Sequence, residues 1–211
     1  MTRLICWFLV SAMAVLTGMS AASAESRVAL VLGNAAYHHT SRLLNPVRDA
    51  EAMAIKLREL DFEVVTGFDL TTSETQARVA QFAREVRGAD IALFYYAGHA
   101  LQLSDANYLI PVNAELKDET SLDFEAVPLE FILRQMSRET GARIVLLDAS
   151  IANPLADRLS RAGGNSKLGL AEVTMPAGGR GALIASASGS QQVVDDQVDT
   201  TVHERVHHLD G

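Results

Sequence analysis

Two residues whose side chains could act as base and nucleophile stand at the ends of apolar runs in this chain. His99 follows the run in FYYAGHA, Phe94 to Ala100, and Ser150 follows the run in IVLLDASIANP, Ile144 to Pro154. Imidazole titrates near neutral pH and can take a proton from a hydroxyl or thiol within hydrogen-bond reach. The two residues therefore form a candidate pair for hydrolysis by nucleophilic attack.

The residues on either side of the histidine point to the same chemistry. Gly98 allows the backbone to approach a neighbour closely, and backbone amides at this bend, those of Gly98 and Ala100, could form an oxyanion hole. Taken alone, a histidine and a serine at strand ends more often satisfy local hydrogen bonds than catalyse a reaction. Both interpretations stay open on this pattern.

The segments that must position the pair alternate between apolar runs and helical periodicity, which is typical of strands joined by crossover helices in a mostly parallel sheet. The pattern predicts strands at 27–32, 62–66, 90–96, 143–148 and 182–187, helices at 46–60, 75–86 and 129–136, and a hairpin around 104–106. Such sheets place their sites at the carboxyl ends of the strands. His99 and Ser150 should therefore both lie at this edge, on loops that leave their strands, and they can meet if the two strands are neighbours in the sheet.

The N-terminus predicts export. Arg3 precedes an apolar run from Leu4 to Val15, and small residues follow up to Ala24. This is the pattern of a secretory signal cleaved after Ala24, and the apolar run is short of the roughly 20 residues that span a bilayer. We expect a periplasmic or secreted protein without a membrane anchor after cleavage; an uncleaved anchor is the alternative.

The charge and cysteine content of the chain argue against several kinds of ligand and site. The net charge is −8, which makes nucleic acid an unfavourable partner, and the single cysteine, Cys6, lies in the predicted signal. Residues 25–187 predict one domain, and the polar segment 188–211 predicts a disordered tail. His203 and His207 are one helical turn apart, but we assign no metal to this tail and expect no cofactor. The GNAAY string after the first strand lacks the spaced glycines of a nucleotide site.

Seven blocks of the chain, taken in order, resemble the caspase and metacaspase family of cysteine peptidases, in particular its secreted bacterial members. The blocks are GNAAY, LLNPVRDAEAM, ADIALFYYAGHA, NYLIPVNA, LDFEAV, IVLLDAS and GALIASA. The resemblance implies a caspase-like three-layer α/β sandwich, a mostly parallel sheet flanked by helices. It also gives His99 the position of the general base and Ser150 the position of the cysteine nucleophile.

The resemblance further implies an acidic pocket for an Arg or Lys side chain. Metacaspase-like members line it with two acids, and the matching positions here are Asp49 and Asp148. Each has a simpler interpretation: Asp49 could cap its helix or form a salt bridge within it, and Asp148 could cap the turn after its strand.

Departures from the family pattern cluster around the proposed nucleophile. Ser150 replaces cysteine, Ile151 replaces the usual arginine, and Ala100 replaces the glycine that usually follows the histidine. The sequence after Ala187 is also unlike the family. We therefore expect a truncated C-terminal portion, either because the gene ends early or because the tail is an out-of-frame remnant.

These features predict a caspase-like domain protein that is a catalytically impaired pseudopeptidase with a binding or regulatory role. Its expected partner is a peptide or protein with basic side chains. The alternative is an active hydrolase that uses Ser150, with His99 as base, and cleaves after basic residues.

Overall fold

The computed structural model describes residues 25–136, 140–150, 159, 166–167, 170–173, 175–176, 181–187 and 205–207. The predicted signal segment and most of the segment between Leu155 and Gly181 lie outside the described residues. The strands are β1 (Arg27–Gly33), β2 (Glu63–Phe68), β3 (Ile91–Leu103), β4 (Ala106–Leu109), β5 (Val127–Pro128), β6 (Ala142–Ser150), β7 (Ser166–Lys167), β8 (Gly181–Ala187) and β9 (Arg205–His207). The helices are α1 (Pro46–Glu59), α2 (Thr72–Glu85), α3 (Leu122–Glu125) and α4 (Leu129–Met136), with a 3₁₀ turn at Glu119–Ser121.

The main sheet has the strand order β2-β1-β3-β6-β8-β9. All of these pairs are parallel except the last, in which β9 runs antiparallel to β8. The far end of β3 pairs antiparallel with β4 on one side and with β7 on the other. The prediction of an α/β fold with a mostly parallel sheet is confirmed.

Helices cover both faces of this sheet and bury its apolar side chains. α1 contributes Ala50, Ala54 and Leu57 to a cluster on one face. On the other face α2 and α4 pack with the strands in a cluster that includes Phe82 and Ile132. The three layers arise because crossover helices must bury their apolar stripes against the sheet.

Local sequence signals fix the element ends close to where we predict them. α1 begins at Pro46, which suits the first turn of a helix because its missing amide is not needed there. α2 begins with a capping box formed by Thr71 and Glu74. Ser104 and Asp105 both have positive φ, 48° and 63°, as a two-residue hairpin turn requires.

The structure corrects the positions of the two candidate residues. We expected both on loops leaving their strands, but β3 continues past His99 to Leu103 and β6 extends to Ser150. The continuation follows from the hairpin, because pairing with β4 keeps the end of β3 extended after β1 has ended. Both residues are therefore held by backbone ladders.

The segment after Ala187 also departs from expectation in part. We predict a disordered tail at 188–211, yet Arg205–His207 forms β9 and pairs with Ile184–Ser186 of β8. The rest of that segment lies outside the described residues. Among the described residues, every helix is too short or too polar to cross a lipid bilayer.

Candidate functional site

His99 and Ser150 are direct neighbours across two parallel strands. Their Cα atoms are paired in the β3–β6 register, and this pair is the last one of that ladder. Adjacent strands lie about 4.8 Å apart, so the two backbones meet at the carboxyl edge of the sheet. The structure thus brings together the two residues that the strand pattern predicts to meet.

A backbone carbonyl sets the protonation of the His99 ring. The ring nitrogen Nε2 lies 3.0 Å from the carbonyl oxygen of Ser41. A carbonyl can only accept a hydrogen bond, so Nε2 carries the proton and Nδ1 is the basic nitrogen of the neutral ring. Only 1% of the surface of His99 is exposed. The carbonyl of Ser41 therefore orients the His99 ring.

The loop that carries Ser41 is tied to the sheet by Asp69. The amides of Ala35 and Ala36 donate to Asp69 Oδ1 at 2.7 and 2.8 Å, and the amide of Leu43 donates to the carbonyl of Ala35 at 3.1 Å. Neither Ser41 nor Asp69 stands out in the sequence. The carbonyl of Ser41 has no signature in sequence because every residue carries one.

The two predicted oxyanion amides differ in their surroundings. Gly98 is in register with Ala149 inside the β3–β6 ladder, whereas Ala100 lies one residue beyond the last pair. The amide of Ile110 donates to the carbonyl of His99 at 3.1 Å, which makes Ala100 and Leu109 a non-hydrogen-bonded pair in the β3–β4 ladder. The amide of Ala100 is therefore directed toward the edge where β6 ends. The oxyanion role itself stays a prediction.

Asp49 and Asp148 lie close enough for their charges to interact. Burial raises the pKa of Asp148, and the negative charge of Asp49 raises it further. The pKa of Tyr95 is raised by burial and then by the charges of Asp148 and Asp49. The two carboxylates and the phenol of Tyr95 therefore lie within electrostatic reach of each other. Asp148 is two residues before Ser150 on β6. This arrangement favours a cation between the acids.

The positions of the two acids follow from the elements that carry them. Asp49 lies in the first turn of α1, where the helix dipole favours its negative charge. Asp148 is in register with Ala97 of β3, at the end of the face that α1 covers. In the described part of the chain, no group of three His, Cys, Asp or Glu side chains is arranged to hold a metal ion. Of the tail histidines, His207 lies in β9, and His203 is outside the described residues.

The α/β sandwich places His99 opposite Ser150 in the last residue pair of two adjacent parallel strands. The family model described as caspase domain matches residues 26–205. The chain belongs to this caspase-domain family of peptidases, as its sequence blocks predict.

Individual relatives support the same assignment. The chain is 32% identical over 126 residues to mucosa-associated lymphoid tissue lymphoma translocation protein 1 of Homo sapiens, and equally to its homolog in Mus musculus. These matches cover 59% of this chain and 15% of each relative. The chain therefore spans only a small part of the curated relatives. A crystal structure of a Geobacter sulfurreducens protein has a TM-score of 0.54 at 17% identity, over 79% of this chain and 74% of that one, and shows the shared fold.

Proposed function

We propose that this caspase domain is impaired as a peptidase and acts by binding peptide segments with basic side chains. The observation that carries the proposal is the register of the main sheet, which pairs His99 with Ser150 where the family carries cysteine. The remaining support comes from the chemistry of a hydroxyl at that position and from the acidic pocket beside it.

A hydroxyl at position 150 needs far more activation than a thiol. A thiol is about a few per cent thiolate at pH 7, so a cysteine dyad requires little from its histidine. An aliphatic hydroxyl is essentially un-ionised at that pH and depends on proton removal by a well-supported base. Ser150 can therefore attack a substrate only if His99 removes its proton efficiently, whereas a cysteine would depend on His99 much less.

The support that His99 receives is of a kind that suits a thiol better than a hydroxyl. The carbonyl of Ser41 orients the ring, but it is neutral. In serine peptidases a carboxylate orients the imidazole and also stabilises the imidazolium that forms during the reaction. A ring held by a carbonyl lacks that charge at Nε2. Attack by Ser150 is expected to be slow.

The pocket formed by Asp49 and Asp148 supports the binding role. Two carboxylates close enough to raise the pKa of one of them repel each other when both are ionised. An arginine guanidinium between them removes this repulsion and can donate to both. We infer that the partner inserts a basic side chain here. The predicted signal segment adds the proposal that this binding takes place outside the cytoplasm.

The proposal is tested with a single-atom change. The natural protein and Ser150→Cys are assayed on peptides containing Arg, Lys or Asp, with His99→Ala made in both backgrounds. We expect no turnover by the natural protein above its His99→Ala version, and turnover by Ser150→Cys that requires His99. Cleavage by the natural protein at a rate like that of the thiol variant, lost on His99→Ala, would contradict the impaired assignment.

One observation favours a second candidate function, a slow serine hydrolase. The tautomer fixed by Ser41 leaves Nδ1 of His99 as a base, and the amide of Ala100 is directed to the end of β6. Covalent labelling with a fluorophosphonate probe separates the two functions. Label at Ser150 that depends on His99 supports the hydrolase, and its absence supports the binding protein.

A further inference from the structure

Two buried tyrosines bind the backbone of His99, one at its amide and the other at its carbonyl. The amide of His99 donates to the hydroxyl oxygen of Tyr37 at 2.7 Å. The hydroxyl of Tyr96 donates to the carbonyl oxygen of His99 at 2.6 Å. Tyr37 comes from the loop after β1, and Tyr96 comes from β3 itself. Both backbone polar groups of the histidine thus engage phenols.

The ring of Tyr37 also contacts the imidazole. The two ring centroids are 4.5 Å apart with an angle of 49° between the planes. At the same time Nε2 of His99 is held by the carbonyl of Ser41 at 3.0 Å. The imidazole is therefore constrained on one face by an aromatic ring and at one nitrogen by a carbonyl. Rotation of the ring would break the second contact.

The proton positions of the two phenols are mutually consistent. The two hydroxyl oxygens are 3.5 Å apart. Because Tyr96 gives its proton to the His99 carbonyl, its oxygen can accept the proton that Tyr37 still has to donate. Burial raises the pKa of both phenols, so both remain neutral donors at physiological pH. A continuous path links the amide of His99 to its own carbonyl through two side chains.

The residue before the histidine is adapted to these phenols. Gly98 has a φ of +152°, and a Cβ at this position would lie 2.7 Å from the hydroxyl oxygen of Tyr37 and 2.7 Å from that of Tyr96. Those oxygens occupy the space of a side chain. The glycine and the two hydroxyls therefore form one unit around the histidine.

We propose that Tyr37 is a positioning residue that, together with Tyr96, holds the backbone of His99 where its ring reaches the Ser41 carbonyl, the contact that fixes the tautomer. The inference rests on the proposed function only in treating His99 as the base, and it does not depend on which nucleophile occupies position 150. Tyr37 acts through the histidine and is not itself a catalytic residue.

The test measures the tautomer of His99 directly. Protein with ¹⁵N-labelled histidine gives the ratio of Nε2–H to Nδ1–H forms by NMR, and the His99 signals are assigned by their absence in His99→Gln. In Tyr37→Phe, which keeps the ring and removes the hydroxyl, we expect the less restrained backbone of His99 to weaken the Nε2 contact with Ser41. The ratio should then fall by up to about fivefold, the factor that one net hydrogen bond supplies. Tyr108→Phe is the matched control, since it removes a phenol hydroxyl from β4, where Asp123 and Glu119 influence it.

A structural role alone would lower the melting temperature in Tyr37→Phe and leave the tautomer ratio as in Tyr108→Phe; that result overturns the proposal. If Tyr37→Phe does not fold, Tyr96→Phe provides the same measurement, because it removes one of the two donors to the His99 carbonyl and leaves the amide of Ile110 as the other. An unchanged ratio in that variant also overturns the proposal.

A second readout separates this inference from the proposed function. In the Ser150→Cys background, iodoacetamide labelling at neutral pH measures how well His99 activates the thiol, and we expect Tyr37→Phe to slow it about fivefold. An unreactive thiol together with a shifted tautomer would remove the proposed function and keep the positioning role. If the thiol is reactive but Tyr37→Phe changes neither the tautomer ratio nor the labelling rate, the proposed function stands and the positioning role is removed.

Discussion

Gly98 occupies a backbone position that excludes any larger residue. Its φ is +152°, and the two phenol oxygens would each lie 2.7 Å from an added Cβ, which leaves no room for a side chain. We expect Gly98→Ala to lower the free energy of unfolding by about 2–4 kcal/mol, since both strain and overlap must be accommodated. Urea denaturation measures the loss.

Gly88 supplies the matched control for this substitution. It also has a positive φ, +72°, but a Cβ there meets nothing within 4 Å. Gly88→Ala should therefore cost only about 1 kcal/mol, from backbone strain alone. Equal losses in the two variants would show that the tyrosine hydroxyls do not restrict position 98.

Asp148 makes the stability of the protein depend on pH in a defined direction. Its pKa is raised by burial and by Asp49, so ionising it in the folded state is unfavourable. Below the ordinary carboxyl pKa of about 4 the group is protonated whether the chain is folded or not, and this cost is absent. The cost appears as pH rises through the raised pKa of the folded state.

Asp148→Asn should therefore stabilise the protein at neutral pH, by about 1–3 °C in Tm, with the gain disappearing as the pH falls to about 4. Thermal unfolding of both proteins at a series of pH values measures this difference. Asp49→Asn tests the cause, because it should lower the pKa of Asp148 by removing the neighbouring charge. A gain in Tm from Asp148→Asn that is the same at neutral pH and at about pH 4 would contradict a raised pKa of Asp148 in the folded protein.

At the level of elements, the close approach of α1 to β1 positions the acidic pocket. A Cβ on Gly33 would lie 2.7 Å from both the Cβ of Ala50 and the carbonyl oxygen of Pro46. A backbone oxygen cannot move without moving the helix. Gly33→Ala should therefore displace the first turn of α1, which carries Asp49, away from the sheet.

We expect Gly33→Ala to cost about 1–3 kcal/mol of stability and to weaken binding of arginine peptides, because Asp49 moves with its helix. Gly67→Ala is the control: its new methyl would meet mainly the flexible end of Leu70, which can move aside. Urea denaturation and peptide titration on both variants provide the comparison. Unchanged peptide affinity in folded Gly33→Ala would separate Asp49 from the binding site.

The elements also show what sequence reasoning can and cannot reach. The prediction for α1 ended within one residue of the observed Pro46–Glu59 because proline and the apolar spacing mark it directly. The sequence predicts a strand up to Tyr96 and a hairpin around 104–106, but not the continuous strand through residues 97–100 that joins them in β3, because that continuity depends on pairing with neighbouring strands. The same limit hid the carbonyl of Ser41, whose role exists only once the loop is folded against His99.

For the whole molecule, the order of the strands matters more than any single motif. Apolar runs alternating with helices predict a parallel sheet with His99 and Ser150 at the same edge, and the register of β3 and β6 then shows that the two residues are neighbours. The proximity of Asp49 and Asp148 required more, since it depends on how the helix that follows β1 packs against β1, β2 and β3. In sequence only the family resemblance connected these two acids.

The charge of the whole molecule should act on the same pocket from a distance. The chain carries 26 acidic and 18 basic residues, for a net charge of −8. A cationic peptide is therefore attracted before contact, and dissolved salt screens this long-range attraction more than it screens contacts inside a half-buried pocket.

Raising NaCl from about 20 to about 300 mM should slow association of an arginine peptide about tenfold while changing dissociation much less. Surface plasmon resonance measures both rates, and a peptide with glutamine in place of arginine provides the control. An equal salt effect on the two peptides would place the attraction elsewhere on the surface and remove the acidic pocket as the binding site.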